Sequence, residues 1–180
     1  RRVLLGDSIS SSQLSSRDDL SPKTKIELID TFLNKVHVNN VFDVGCGVGA
    51  TTAVLVEYYK DAEILGVDVS SDAIQVARKN HSNRSFLCKS IEHTAEKIGI
   101  FDLIFCFEFY PFTRTNDKSE QSSYIRYFVD QLASDGKLVI FQSLRTRNLS
   151  KYPQLLENLE DIANDNSDLS FVNYPMPNMK

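Results

Sequence analysis

Short apolar runs alternating with amphipathic stretches constrain this chain more than any other feature. Val41-Phe42-Asp43-Val44, Ile64 to Val69, Ser85 to Cys88, Phe101 to Phe107 and Lys137 to Phe141 are too short for helices and largely apolar on both faces. Between them the spacing turns helical. Behind Ser21 as N-cap and Pro22 at the first helical position, Ile26, Ile29, Phe32, Leu33 and Val36 form one stripe. A second helix is predicted over Ala50 to Lys60, and a third, capped by Ser70 and Ser71, carries Ala73, Ile74 and Ala77 towards Asn80. A fourth holds Ile125, Phe128, Val129 and Leu132 and ends near Asp135-Gly136; a fifth spans Pro153 to Ala163, ahead of a last strand at Leu169 to Tyr174.

Strands that are apolar on both faces need cover on both, and helices alternating with them supply it. With right-handed crossovers the result is an α/β fold: a doubly wound, mostly parallel sheet with helices on both faces. Ligands of such sheets bind beyond the carboxyl ends of the strands, where the strand order reverses. The stretch from Arg1 to Ser21 is rich in Ser and Asp and is expected to be a loose lead-in, leaving residues 22–180 as a single domain. A domain of that length buries roughly 70% of the surface its unfolded chain exposes.

Charge narrows the partners. Twenty Lys and Arg against 24 Asp and Glu give a net charge of −4, without the basic footprint of a nucleic-acid binder. No apolar run approaches the ~18–20 residues of a membrane span. Arg1-Arg2 is followed only by Val3-Leu4-Leu5 before Gly6-Asp7, which is no signal-peptide core. Cys46, Cys88 and Cys106 lack CxxC spacing and are expected as buried thiols of a reducing, cytoplasmic compartment. His37, His81 and His93 lack ligand spacing, so no metal site is expected. Nothing in the sequence sets the oligomeric state.

Gly45, Gly47 and Gly49 fall between the first of these apolar runs and the helix that follows it. Glycine there permits positive φ and close approach of backbone to a ligand, and the next helix aims free N–H groups at the same place. Nineteen residues past Gly49, Asp68 ends the second run, where an acid can accept both hydroxyls of a ribose. Asp43, within the first run, is open to two readings: ligand contact, or a brace for the loop. The spacing is Gly-x-Gly-x-Gly, not the Gly-x-Gly-x-x-Gly of a dinucleotide site, and Thr51-Thr52 lack the lysine of a phosphate-binding loop.

The string Val41-Phe42-Asp43-Val44-Gly45-Cys46-Gly47-Val48-Gly49 resembles the first motif of the class I S-adenosylmethionine-dependent methyltransferases. The strand ending in Asp68, and Phe101-Asp102-Leu103-Ile104, resemble later motifs of that family, and the resemblance spans residues 25 to 145. It implies a Rossmann-like fold, S-adenosyl-L-methionine as cofactor and S-adenosyl-L-homocysteine as product. It further implies that the backbone of Gly45, Cys46 and Gly47 meets the methionine end, with Asp43 nearby and Gly49 closing the loop. Asp68 would hold the ribose hydroxyls and Val69 would pack on the adenine. Ser90, followed by Ile91, stands where the family often carries an acid for the adenine amino group. Phe107 and Glu108 would border the cofactor. The family's closing hairpin is expected to be incomplete, because Leu169 to Tyr174 has no partner strand after Pro177.

For the acceptor side, the segment Phe107-Glu108-Phe109-Tyr110-Pro111-Phe112-Thr113-Arg114 leaves the sheet at the ligand edge and is rich in aromatics. Glu108 is a candidate proton acceptor or amine ligand, Arg114 a candidate partner for a substrate acid, and Tyr110 a residue to orient either. The alternative is an aromatic plug over the core. The segment lacks the Asn/Asp-Pro-Pro-Tyr signature of amino-methylating nucleic-acid enzymes. Thr115 to Ser123 reads either as a lid or as a solvated connection. The expected function is methyl transfer to a small molecule or biosynthetic intermediate; the alternative is a non-catalytic S-adenosylmethionine-binding module or partner subunit.

Overall fold

The computed structural model describes residues 2–7, 21–33, 37–92, 96–141, 152–167 and 169–175. In chain order the strands are β1 (Arg2–Asp7), β2 (Asn40–Val44), β3 (Glu63–Asp68), β4 (Ser85–Cys88), β5 (Phe101–Phe107), β6 (Leu132–Phe141) and β7 (Ser170–Pro175). The helices are α1 (Pro22–Leu33), α2 (Ala50–Tyr58), α3 (Ser71–Asn80), α4 (Lys118–Val129) and α5 (Tyr152–Asn164). One seven-stranded sheet runs β4-β3-β2-β5-β6-β1-β7, and its strand pairs are parallel. The order reverses between β2 and β5, so the cleft of this fold opens where the glycine loop leaves β2.

Local chemistry places the helix starts. The Ser21 Oγ accepts from Thr24 N at 3.2 Å, Ser70 Oγ from Ala73 N at 3.2 Å, and Asp117 Oδ1 from Ser119 N at 2.8 Å. The buried Lys137 ammonium donates to the Leu33 carbonyl at 2.5 Å, satisfying a helix-end acceptor of α1. Side chains of β5 alternate between the two faces. Leu103 and Phe105 pack with α1 and α2 through Ile26, Ile29, Leu33 and Leu55; Ile104 and Cys106 pack with α4 and α5 through Ile125, Phe128, Leu155 and Leu159. Asp102, at the end of β5 away from the cleft, accepts from Asn39 N at 2.7 Å and Asn40 N at 3.0 Å. That acid therefore fixes the start of β2.

Four details differ from expectation. The lead-in expected over Arg1 to Ser21 contains a strand, with Val3 paired to Leu138 on one side and Phe171 on the other. The edges of β6 and β7 carry backbone groups that need partners, and Val3-Leu4-Leu5 supplies them. Residues 8–20 of that lead-in lie outside the described residues. The last strand, expected to lack a partner, is thus paired from the N-terminal side by β1, in parallel. The fourth helix stops at Val129, because Leu132 starts β6 opposite Phe101 and Gln131 O accepts from Phe101 N at 2.8 Å. Asp135-Gly136 lies in an irregularity of β6, where a Cβ at Gly136 would come within 2.9 Å of the Phe101 carbonyl. Finally, Thr115 to Ser123 is not the solvated connection that was one of its two readings: Lys118 onward is helix, and Gln121 is fully buried.

Gln121 anchors a buried polar network. Its Nε2 donates to Thr115 O at 2.9 Å, while Asn158 Nδ2 of α5 donates to Gln121 Oε1 at 2.9 Å and to Asn116 O at 3.2 Å. The exit from the aromatic segment is therefore tied to both α4 and α5. Among the described residues no helix is long and apolar enough to cross a membrane.

Candidate functional site

The glycine loop turns over the ends of β2 and β3. Gly45 N and Cys46 N both donate to Val67 O, at 2.8 and 3.1 Å, which pins the first turn to the neighbouring strand. Gly45, Gly47 and Gly49 have φ of 70°, 53° and 85°, the left-handed region that favours glycine. A Cβ at Gly45 would meet the Phe109 ring at 2.9 Å, and one at Gly49 would meet Phe86 at 2.8 Å. At Gly47 the same position faces open space, with nothing within 4 Å. Two glycines are thus required by packing from below, whereas Gly47 presents bare backbone to the cleft.

Asp68 ties the loop to the end of β3. Its Oδ2 accepts from Gly47 N at 2.9 Å and its Oδ1 from Ser70 N at 2.8 Å, and its carbonyl accepts from Lys89 N at 3.0 Å. The exit of β4 is held alongside, with Cys88 paired to Asp68 in register. Val69, next in the chain, is 69% exposed on this edge. Ser90 is exposed and donates its hydroxyl to Glu92 Oε1 at 3.2 Å, while Ile91 is buried in the core. Asp43, Gly45, Cys46, Gly47, Gly49, Asp68, Val69, Ser90 and Ile91 therefore share one edge of the sheet, along the ends of β2, β3 and β4.

Below the loop lies Asp43, 1% exposed, with Oδ2 accepting from the buried Thr52 hydroxyl at 2.6 Å. Burial, reinforced by the charge of Asp68 and opposed by Thr52, pushes its carboxyl up from 3.8 to about 7. Burial also pushes the Cys46 thiol up to about 12 and the Cys106 thiol well above its ordinary value, so both stay protonated. Cys88, expected buried like the other two, is exposed at the end of an edge strand, its Sγ 3.7 Å from Val69 O. His37 is exposed and His81 ends α3; His93 lies outside the described residues.

The aromatic segment divides by role. Phe107 stacks on Phe105 at 5.4 Å and packs beside Phe141 at 5.7 Å, on the α1 and α2 face. Phe109 packs on Phe128 and Tyr124 at about 6 Å, and Phe112 is buried with them. These rings form the plug that was one of the two readings. The polar members stay at the surface. Glu108 has φ 49°, unusual for a residue with a side chain, and its N–H donates to Phe141 O at 2.8 Å. The Tyr110 hydroxyl donates to Glu120 Oε1, and that carboxylate holds the phenol above its ordinary pKa. Arg114 is exposed. Three residues escaped the sequence reading of the site: Thr52, Glu92 and Glu120. Only Thr52 carried a signal, a hydroxyl one turn into the helix after the glycines.

The arrangement fits a nucleoside with an aminocarboxylate tail. Open backbone at Gly47, the Asp68 carboxylate, and a buried Asp43 oxygen without a donor among the described residues supply acceptors and room for it. The 235L protein of Invertebrate iridescent virus 6 is 28% identical over 160 residues, covering 88% of this chain and 54% of that protein. The malonyl-[acyl-carrier protein] O-methyltransferase of Acetivibrio thermocellus is 32% identical over 93 residues, 48% of this chain and 32% of that one. This chain thus spans about half, or less, of the length of these curated relatives. The solved structure of the plantazolicin methyltransferase BpumL in complex with SAH matches with a TM-score of 0.59 at 18% identity, covering 81% of this chain and 64% of that chain, which speaks to the fold. Residues 37–172 match the methyltransferase domain family. The chain belongs to that family, and its sheet has the Rossmann-like class I fold.

Proposed function

We propose that this chain is a methyltransferase that binds S-adenosyl-L-methionine across the ends of β2, β3 and β4 and transfers its methyl group to a small-molecule acceptor. The observation that carries this reading is the junction of Gly47 and Asp68, a carboxylate at a strand end bonded to open loop backbone. Asp68 takes the ribose hydroxyls, Val69 lies under the adenine, and the Ser90–Glu92 pair accepts from the adenine amino group. The Ser90 proton already points to Glu92, so the oxygens of both side chains are left to accept. Gly45, Cys46 and Gly47 line the aminocarboxylate end above Asp43.

The cofactor supplies an activated methyl on a sulfonium. The chain's part is alignment and exclusion of water, and alignment alone is worth roughly 7–11 kcal/mol. Phe109 and Phe112 close the cleft floor against the core. Glu108 is the proposed proton acceptor, since Tyr110 is a phenol already donating to Glu120. A base adds about 10²–10⁴-fold where the acceptor must lose a proton. Arg114 is the proposed partner of an acidic acceptor. The Acetivibrio relative is named for a malonyl-[acyl-carrier protein] substrate, which makes carboxylate-bearing acceptors the first class to try. The test is transfer of labelled methyl from the cofactor across a panel of small carboxylic acids, thioesters, phenols and amines. Turnover on a panel member supports the reading. Tight binding of S-adenosylhomocysteine with no turnover on any class favours the second reading, a non-catalytic binding module, for which Ser90 in place of an acid speaks.

A further inference from the structure

Among the described residues Asp43 is the one charged group enclosed beneath the loop, and two other residues serve to enclose it. Thr52 donates to Asp43 Oδ2 at 2.6 Å and is itself 0% exposed. Gly66 on β3 makes room for that hydroxyl: a Cβ there would come within 2.8 Å of Thr52 Oγ1 and 3.0 Å of Cys46 Sγ. Among the described residues Asp43 Oδ1 has no hydrogen-bond donor, although a buried carboxylate oxygen is costly to leave unmet. The groups facing Asp43 are Asp68 from the end of β3, Cys46 from the loop, Cys106 from β5 and Thr52 from α2. Asp68 disfavours ionisation, the two thiols are neutral, and Thr52 favours ionisation.

We propose that Thr52 is a positioning residue: its hydroxyl fixes the Asp43 carboxyl group beneath the glycine loop and favours its ionised form, with Oδ1 left to bind the ammonium of the cofactor's aminocarboxylate end. Protonation of Asp43 then releases that end. The inference rests on the proposed cofactor reading and names a regulator within it. It is consistent with burial placing the Asp43 carboxyl near 7, where small changes in its surroundings alter its charge.

The test is calorimetric titration with S-adenosylhomocysteine between about pH 5 and pH 7.5, a range in which an α-amino group stays largely protonated. The control ligand is 5′-methylthioadenosine, which keeps the nucleoside and lacks the aminocarboxylate. The expected wild-type affinity for S-adenosylhomocysteine rises about tenfold per pH unit at the acid end and levels off towards pH 7.5, while methylthioadenosine affinity stays flat. Thr52→Ser follows the wild type. Thr52→Val binds S-adenosylhomocysteine more weakly and is still rising at the top of the range. Asp43→Asn gives weak, pH-flat binding, and serves as the second variant should Thr52→Val fail to fold in a thermal melt. A flat wild-type profile, a Thr52→Val profile that overlays the wild type, or a methylthioadenosine profile with the same slope overturns the inference while leaving the cofactor reading intact. Absence of S-adenosylhomocysteine binding at every pH overturns both.

Discussion

Replacing Asp43 by asparagine is expected to change stability by an amount that depends on pH. Burial raises the folded carboxyl from 3.8 to about 7, so the folded state holds this proton more tightly than the unfolded chain. The associated stability is present in full below the unfolded value and is lost as pH rises through about 7. Each pH unit across that interval is worth 1.36 kcal/mol, so moving from pH 5 to above 7 costs the wild type about 3 kcal/mol from this group alone. Asparagine carries no charge and escapes that loss. Its buried amide adds a cost of about 1–3 kcal/mol, but one that does not vary with pH and so cancels in the comparison. The assay is urea denaturation of both proteins at pH 5 and pH 8, without ligand. The expected result is that Asp43→Asn gains about 3 kcal/mol on the wild type between the two pH values. A difference that is the same at both would refute the claim that Asp43 is buried with its charge poorly compensated.

Other substitutions probe the rest of the site. Gly66→Ala is expected to cost about 1–3 kcal/mol in a denaturant melt, because its Cβ meets Thr52, Phe86 and Cys46 at 3.0 Å or less. Gly47→Ala, which meets nothing, is expected to cost only the backbone strain of about 1 kcal/mol while weakening cofactor binding. Asn158→Leu leaves the buried Gln121 short of a donor, and a loss of about 1–3 kcal/mol in the same melt is expected. Glu108→Gln is expected to lower turnover about 10²-fold or more on any acceptor that must lose a proton, with S-adenosylhomocysteine affinity unchanged. Unchanged turnover would remove Glu108 as the base.

The elements nearest the cleft were legible because local signals agreed with one another. Ser70 caps α3 as its position suggested, and the glycines of the loop all adopt positive φ. What stayed hidden depended on distant partners. β1 is too short to show a period and exists by pairing with strands more than 130 residues away. Leu132 fits the helical stripe of α4, yet its pairing with Phe101 claims it for β6. Thr52 looked like any hydroxyl in a first helical turn, and only the fold shows it bonded to Asp43. On the acceptor side, sequence could name the aromatic segment but not divide it. The alternating faces of β5 send Phe107 one way, while Phe109 and Phe112 pack the other.

The most direct test of the account is calorimetric titration of the purified chain with S-adenosylhomocysteine at pH 7.5, beside Asp68→Ala and with NAD as control ligand. The account predicts micromolar binding of S-adenosylhomocysteine, none of NAD, and loss of binding in Asp68→Ala, whose carboxylate holds both the Gly47 and Ser70 amides. Absence of binding by a folded wild-type chain, or binding that Asp68→Ala leaves unchanged, would contradict the site as assigned.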